Sequence, residues 1–207
     1  MRQRNRRWAQ PYLDSEKKFM IREFPVTKKL FDNKNPIRLE IGVGKGDFII
    51  EMAKKNPEVN FIGIEMISSV MALAVKKAEE EQLDNLRFLV LDARLISEKF
   101  TEIRFEKIYL NFSDPWPKAR HEKRRLTSHK FLLMYKTYLT SDGEVVFKTD
   151  NKGLYEFSVQ SFIDNKWTLL ENNDNYQILP TDAMSEYEKK FRALSQPIYR
   201  VVAKKGE

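Results

Sequence analysis

Short apolar runs alternate along this chain with stretches in which apolar residues recur every three or four positions. Ile37 to Ile41 reads as a buried strand that runs into Gly42-Val43-Gly44-Lys45-Gly46, after which Phe48, Ile49, Met52 and Ala53 recur at helical spacing. Phe61 to Glu65 reads as a second strand, followed by a helix from Ser68 to Gln82 with Val70, Leu73, Ala74 and Ala78 on one face. Leu86 to Leu91 and Lys107 to Phe112 are the third and fourth strands. A helix capped by Thr127 or Ser128 then spaces Phe131, Leu132, Tyr135, Tyr138 and Leu139 for burial. Asp142-Gly143 predicts a turn before a strand from Glu144 to Thr149, and Leu154 to Ile163 a further helix. Trp167 to Leu170 and Ile198 to Ala203 are candidate closing strands. Strands alternating with helices in this way predict an α/β fold, with a mostly parallel central sheet and helices on both faces.

Composition narrows the class. A chain of 207 residues is the size of one domain and, at that length, buries roughly 70% of its unfolded surface. We therefore read residues 1–207 as a single domain, with 1–20 as a basic N-terminal arm. The absence of cysteine excludes disulfides, thiolate metal sites and thiol nucleophiles, and two histidines make no convincing metal site. Neither a signal peptide nor a span of about 20 apolar residues is present, so a soluble, cytoplasmic protein without membrane contact is expected. Charge adds a partner class. Residues 1–12 hold four arginines and no acid, and 117–130 hold six cations against Glu122. Those segments carry +9 of a total of +7, leaving about −2 on the remainder. Positive charge so localised on a nearly neutral body is expected of a protein that docks a polyanion.

In sheets of this type ligands sit outside the carboxyl ends of the strands. Glu40, Glu65, Asp92, Asp114 and Asp150 all fall at or just past such an end. The glycine turn does not match a dinucleotide fingerprint, because its third glycine comes one place early, and no Gly-Lys-Ser/Thr makes it a triphosphate loop. Glu40 also opposes phosphate, since unit charges about 4 Å apart at an effective dielectric near 20 interact by about 4 kcal/mol. A carboxylate there attracts S-adenosylmethionine, which has no phosphate and carries an ammonium and a sulfonium. Glu65, 19 residues beyond Gly46, fits an acceptor for both ribose hydroxyls, and Asp92 a group near the adenine amine.

The most informative stretch is Asn111 to Leu126. Pro115 and Pro117 push Asp114 and Trp116 out of the helical region, so the loop is expected to hold an acid and an indole rigidly beside a basic cluster. That combination points to chemistry on a nucleobase. Three other readings stay open on the residues alone: a methyltransferase acting on an exocyclic amine of adenine, a non-catalytic RNA-binding protein on a Rossmann-like scaffold, and a nicotinamide-dependent oxidoreductase disfavoured by Glu40.

Three segments carry a resemblance that spans essentially the whole chain: Glu-Ile-Gly-Val-Gly-Lys-Gly at 40–46, Asp-Pro-Trp-Pro-Lys-Ala-Arg-His-Glu-Lys-Arg-Arg-Leu at 114–126, and Ser-Glu-Tyr-Glu-Lys-Lys-Phe at 185–191. With an Arg-rich start ending in Trp8, they make the chain closely similar to the bacterial tRNA (guanine-N7)-methyltransferases. The resemblance implies a Rossmann-like class I methyltransferase fold, S-adenosylmethionine as cofactor, and methyl transfer to N7 of a guanine in the variable loop of tRNA. It further implies that Glu40, Glu65, Asp92 and Asp114, with Gly42 and Gly44 of the turn, line the cofactor site, and that Asp114 is the catalytic residue. Lys118, Asp150, Ser185, Glu186, Tyr187 and Glu188 are then expected on the substrate, with Arg120, His121, Glu122, Lys123, Arg124 and Arg125 on the RNA. No metal is expected, and the protein works as a monomer or homodimer. The family usually has Thr where this chain has Ser185; the hydroxyl survives, so weaker packing is expected rather than lost recognition.

Overall fold

The computed structural model describes residues 6–15 and 18–206. In chain order the elements are α1 (Ala9–Ser15), β1 (Ile37–Ile41), α2 (Asp47–Lys55), β2 (Asn60–Glu65), α3 (Ser68–Glu81), β3 (Leu86–Val90), α4 (Ile96–Lys99), β4 (Phe105–Asn111), α5 (His129–Tyr138), β5 (Leu139–Thr149), α6 (Lys152–Asp164), β6 (Trp167–Asn173), α7 (Glu186–Ala193) and β7 (Tyr199–Lys205). The strands form one seven-stranded sheet in the order β3-β2-β1-β4-β5-β7-β6. The first five strands in that order run parallel, and β7 pairs antiparallel with both β5 and β6.

Strand periodicity explains how two cores form. Successive side chains point to opposite faces of a sheet. Leu39, Ile41, Ile62, Ile64, Ile108, Leu110, Val145 and Phe147 accordingly join one buried cluster with Ile96, Phe131, Leu132, Leu154 and Phe162 of the helices. Phe61, Phe88, Tyr109, Val146 and Val202, one register position away, join a second with Leu13, Phe48, Ile49, Met71 and Ala74. The sheet is thus covered on both faces, as expected for β-α alternation. By the same parity Glu40, Asn111 and Lys148 share the face of the second cluster, where all three are buried.

Several local expectations are corrected. Leu139 does not end the helix but begins β5, and the Asp142-Gly143 turn falls inside that strand rather than before it: the β4–β5 register passes from Phe105↔Leu139 to Lys107↔Glu144, which loops out residues 140–143, and a Cβ on Gly143 would stand 2.8 Å from Leu139 Cβ. Of the two candidate caps for α5, Ser128 holds the N-cap position, while the Thr127 hydroxyl bonds that of Ser158 at 2.7 Å. Phe112, expected to close the fourth strand, leaves it with φ +53°. Helix α7, in the 185–191 segment, had no apolar periodicity strong enough to announce it. Within the N-terminal segment Ala9 and Leu13 of α1 are buried in the second cluster, whereas Arg2 and Arg4 lie outside the described residues.

Gly46 tests how tightly the glycine turn is packed. Its φ is +85°, and a Cβ there would stand 2.9 Å from Ala74 Cβ and 3.2 Å from Ala74 Cα. Gly46→Ala is expected to lower stability by about 1–3 kcal/mol through strain and overpacking. Urea unfolding should show a lower midpoint at an unchanged slope.

Candidate active site

Reading across the parallel strands, their carboxyl ends present Asp92, Glu65, Glu40, Asp114 and Asp150 in the order β3, β2, β1, β4, β5. Backbone bonds hold the tips in line: Leu91 N donates to Glu65 O (3.0 Å), Gly42 N to Ile64 O (2.8 Å) and Phe112 N to Lys148 O (2.8 Å). The topology therefore brings the five acids of the sequence pattern to one edge of the sheet.

Glu40 is 2% exposed. Asn111 Nδ2 donates to its Oε1 at 2.8 Å, while Glu40 Oε2 and Asn111 Oδ1 are buried with no hydrogen-bond partner among the described residues. Burial pushes the Glu40 carboxyl up to about 8, against the opposing influence of the Asn111 bond and the Lys148 ammonium. Two orphaned acceptors side by side call for a donor that also carries positive charge. Above them the turn leaves room, for a Cβ built at Gly42 (φ +82°) or Gly44 (φ +55°) would meet nothing within 4 Å.

Glu65 is fixed by backbone donors, accepting from Gly44 N (3.3 Å) on Oε2 and from Ile67 N (3.0 Å) on Oε1. Burial raises its pKa, and the nearby charge of Asp114 adds to the rise. Asp92 caps the short 3-10 turn 93–95 by accepting from Arg94 N (2.9 Å) and pairs with the Arg94 guanidinium, which holds its carboxyl below the usual range. Asp114 is exposed at the rim, and Asp150 is half-buried, its carboxyl raised by that burial.

Residues expected on the substrate fall into two groups. Lys118, Arg120, Glu122, Lys123 and Arg124 are exposed on the 3-10 turn Ala119–Arg124 and its cap, an open cationic face next to Asp114. His121 is half-buried with its ring edge-on to Trp116, 5.6 Å between centroids. Arg125 points elsewhere: Nε donates to Pro115 O at 3.2 Å and Nη2 to Trp116 O at 3.1 Å, and the guanidinium lies 4.2 Å from the centre of the Phe157 ring. Trp116 is half-buried beneath Arg124, whose guanidinium sits 4.7 Å from its ring centre.

The 185–188 segment forms the start of α7. Ser185 Oγ accepts from Glu188 N at 3.1 Å, a capping bond that a threonine hydroxyl also makes. Glu186 pairs with Lys45 of the glycine turn at 2.6 Å, and the half-exposed Tyr187 stacks on Phe191, itself stacked on Phe112. Glu188 is fully buried. Its Oε2 accepts from Lys148 at 2.8 Å and its Oε1 from Arg192 Nη2 at 2.8 Å. Lys148 also donates to Asp182 Oδ2 (3.2 Å) and Ala183 O (3.0 Å), so one buried ammonium anchors the entry to α7.

Asn111 and Lys148 escaped the sequence reading. The available signal was a polar residue closing an apolar run, Ile-Tyr-Leu-Asn at 108–111 and Val-Val-Phe-Lys at 145–148, where burial on both faces favours apolar side chains. A separate cavity of about 720 Å³ opens between α2, α3 and residues 178–184, and none of the five strand-tip acids lines it. Among the described residues no cluster of three or more His, Cys, Asp or Glu side chains is placed to hold a metal, and no helix is long and apolar enough to cross a membrane.

Comparison with known proteins gives this geometry its context. Residues 34–201 match the family model of a putative methyltransferase. A tRNA (guanine-N(7)-)-methyltransferase of Oceanobacillus iheyensis is 50% identical, over 98% of each chain, and that of Bacillus subtilis is 43% identical, over 97% of each. Among solved structures the 16S rRNA methyltransferase KamB superposes with a TM-score of 0.62 at 12% identity, covering 87% of this chain and 92% of that one. A putative methyltransferase from Streptococcus mutans in complex with SAH gives 0.56 at 12% identity, over 84% and 90%. Those structural likenesses establish a Rossmann-like class I fold. The full-length identity goes further, and places the chain within the family of the tRNA (guanine-N7)-methyltransferases.

Proposed function

We propose that this protein transfers a methyl group from S-adenosylmethionine to N7 of a guanine in the variable loop of tRNA. The observation that carries the reading is the buried pair of unsatisfied acceptors, Glu40 Oε2 and Asn111 Oδ1, beneath an open glycine turn, with an exposed Asp114 three residues beyond Asn111 and an exposed cationic turn after it in the chain. The relatives' names supply the nucleobase and the RNA class. When bound, the cofactor supplies an electrophilic methyl on a sulfonium. Glu40 and Asn111 would accept from its ammonium, Gly42 and Gly44 would leave it space, and Glu65 and Asp92 would serve its ribose and adenine ends.

The nucleophile needs no base. Guanine N7 carries an in-plane lone pair at neutral pH, so the protein has to align it and stabilise the positive charge that grows on the purine. Asp114 supplies that stabilisation as a carboxylate close to the ring. Lys118, Asp150 and residues 185–187 hold the base and its neighbours, and the exposed Arg120, Lys123 and Arg124 hold phosphates. A loop guanine suits such a site, because an unstacked base is reached without opening a duplex. Glu188 acts from below, holding the start of α7 through Lys148 and Arg192. A tRNA substrate supports a cytoplasmic location, and we read the protein as a monomer or homodimer. Borohydride and aniline treatment of a transcript methylated by the enzyme should cut the chain at one guanosine of the variable loop. Scission elsewhere, or none despite incorporated methyl, contradicts the reading.

A further inference from the structure

The geometry points to Arg125 as a positioning residue that clamps the Asp-Pro-Trp-Pro loop, rather than a phosphate contact like its basic neighbours. It sits in the same cationic run as Lys123 and Arg124, yet those two are exposed and Arg125 is half-buried. Its fork spans the carbonyls of Pro115 (3.2 Å) and Trp116 (3.1 Å), and its flat face rests on Phe157 of α6, 4.2 Å from the ring centre. Both hydrogen bonds are charge-assisted, and the planar guanidinium is the side chain that can make two of them while stacking on a ring.

The loop needs such a clamp. Phe112 and Trp116 both have positive φ, +53° and +41°, a region costly to residues with a Cβ unless surrounding structure holds them there. Between them lies Asp114. Pro115 and Pro117 lack N–H groups, so the loop has few donors of its own with which to fix itself. Arg125 instead satisfies two of its carbonyls and ties them to α6, whose Phe157 packs against the core. The placement of the Asp114 carboxylate against guanine thus depends on a cation 11 positions further along the chain. This inference rests on the role proposed for Asp114.

The test compares Arg125→Lys, Phe157→Leu and Arg124→Ala in the full-length protein, using an unmodified tRNA transcript and saturating S-adenosylmethionine. Arg125→Lys keeps the charge a phosphate would need and loses the fork. It should lower kcat by about 100-fold, the scale of a misplaced reacting group. The KM for tRNA should stay within about threefold, and the slope of log Kd against log salt should not change. Phe157→Leu, which leaves every charge in place, should reproduce the kcat loss in part and covers the case in which the lysine variant does not fold. Arg124→Ala should instead weaken tRNA binding and make the salt slope shallower by about one. Full kcat in Arg125→Lys, or in Phe157→Leu should that protein alone be folded, overturns the clamp. So does a change in Arg125→Lys confined to tRNA affinity and salt slope. An inactive wild-type enzyme would strike at the proposed reaction itself, a separate failure.

Discussion

Replacing Asp114 by asparagine should reduce the single-turnover methylation rate by about 100- to 1000-fold, the range over which removal of one preorganised electrostatic group acts. Asparagine keeps the size and much of the hydrogen-bonding capacity of aspartate and removes only its charge. The comparison therefore isolates the term that matters if the carboxylate stabilises a purine turning cationic. Asp114 lies at the exposed rim of the strand tips, close enough to Glu65 for its charge to raise that carboxyl's pKa. Affinity for tRNA should change by no more than a few-fold, because phosphate contacts dominate binding. Rapid-quench measurement with saturating enzyme separates the two quantities. Near-wild-type turnover in Asp114→Asn would contradict the electrostatic role.

Glu40→Gln should weaken S-adenosylmethionine binding by about 100-fold, roughly 3 kcal/mol, as expected when one partner of a buried charge pair is neutralised. The same substitution should stabilise the cofactor-free protein. The folded-state pKa of Glu40 stands at about 8, above its ordinary value of 4.5. Between those values the folded protein retains a proton that the unfolded chain releases. The contribution of protonated Glu40 is thus complete below pH 4.5 and disappears as pH climbs toward 8. Glutamine cannot ionise, so the variant should lack that decline and melt higher than wild type near pH 8. Cofactor binding runs the other way. A cation favours the carboxylate, so wild-type affinity should rise over the same interval with release of a proton, and the variant should show no such rise. Isothermal titration in buffers of differing ionisation enthalpy detects the proton, and an affinity independent of pH in wild type would count against this account. The pattern is a trade of stability for binding at a functional site.

How much of this was readable from the chain depends on which signal each feature sends. The parallel strands announced themselves as short apolar runs, and their tips could be aligned because each ends in an acid. The glycine turn was legible through Glu40, whose charge decides against phosphate. Less visible was anything set by contacts distant in sequence. Arg125 reads as one more cation in a basic run, and only the carbonyls of Pro115 and Trp116 distinguish it from Arg124. The resemblance puts Glu188 on the substrate, yet it is buried, and Lys148, 40 residues earlier, holds it there. The start of β5 was hidden for a related reason. Asp-Gly signals the turn itself, but not that Leu139 ahead of it pairs with Phe105 of β4 and so belongs to the same strand as Glu144.

The most direct test of a cleft that brings a sulfonium methyl to guanine N7 changes one atom of the substrate. A tRNA transcript whose variable-loop guanosine alone is replaced by 7-deazaguanosine keeps its Watson–Crick face and its phosphates, and lacks only the nucleophile. With S-adenosylmethionine labelled on the methyl, the unmodified transcript should take up one label per molecule and the deaza transcript none, while both bind equally. Equal incorporation into the two transcripts would contradict the account.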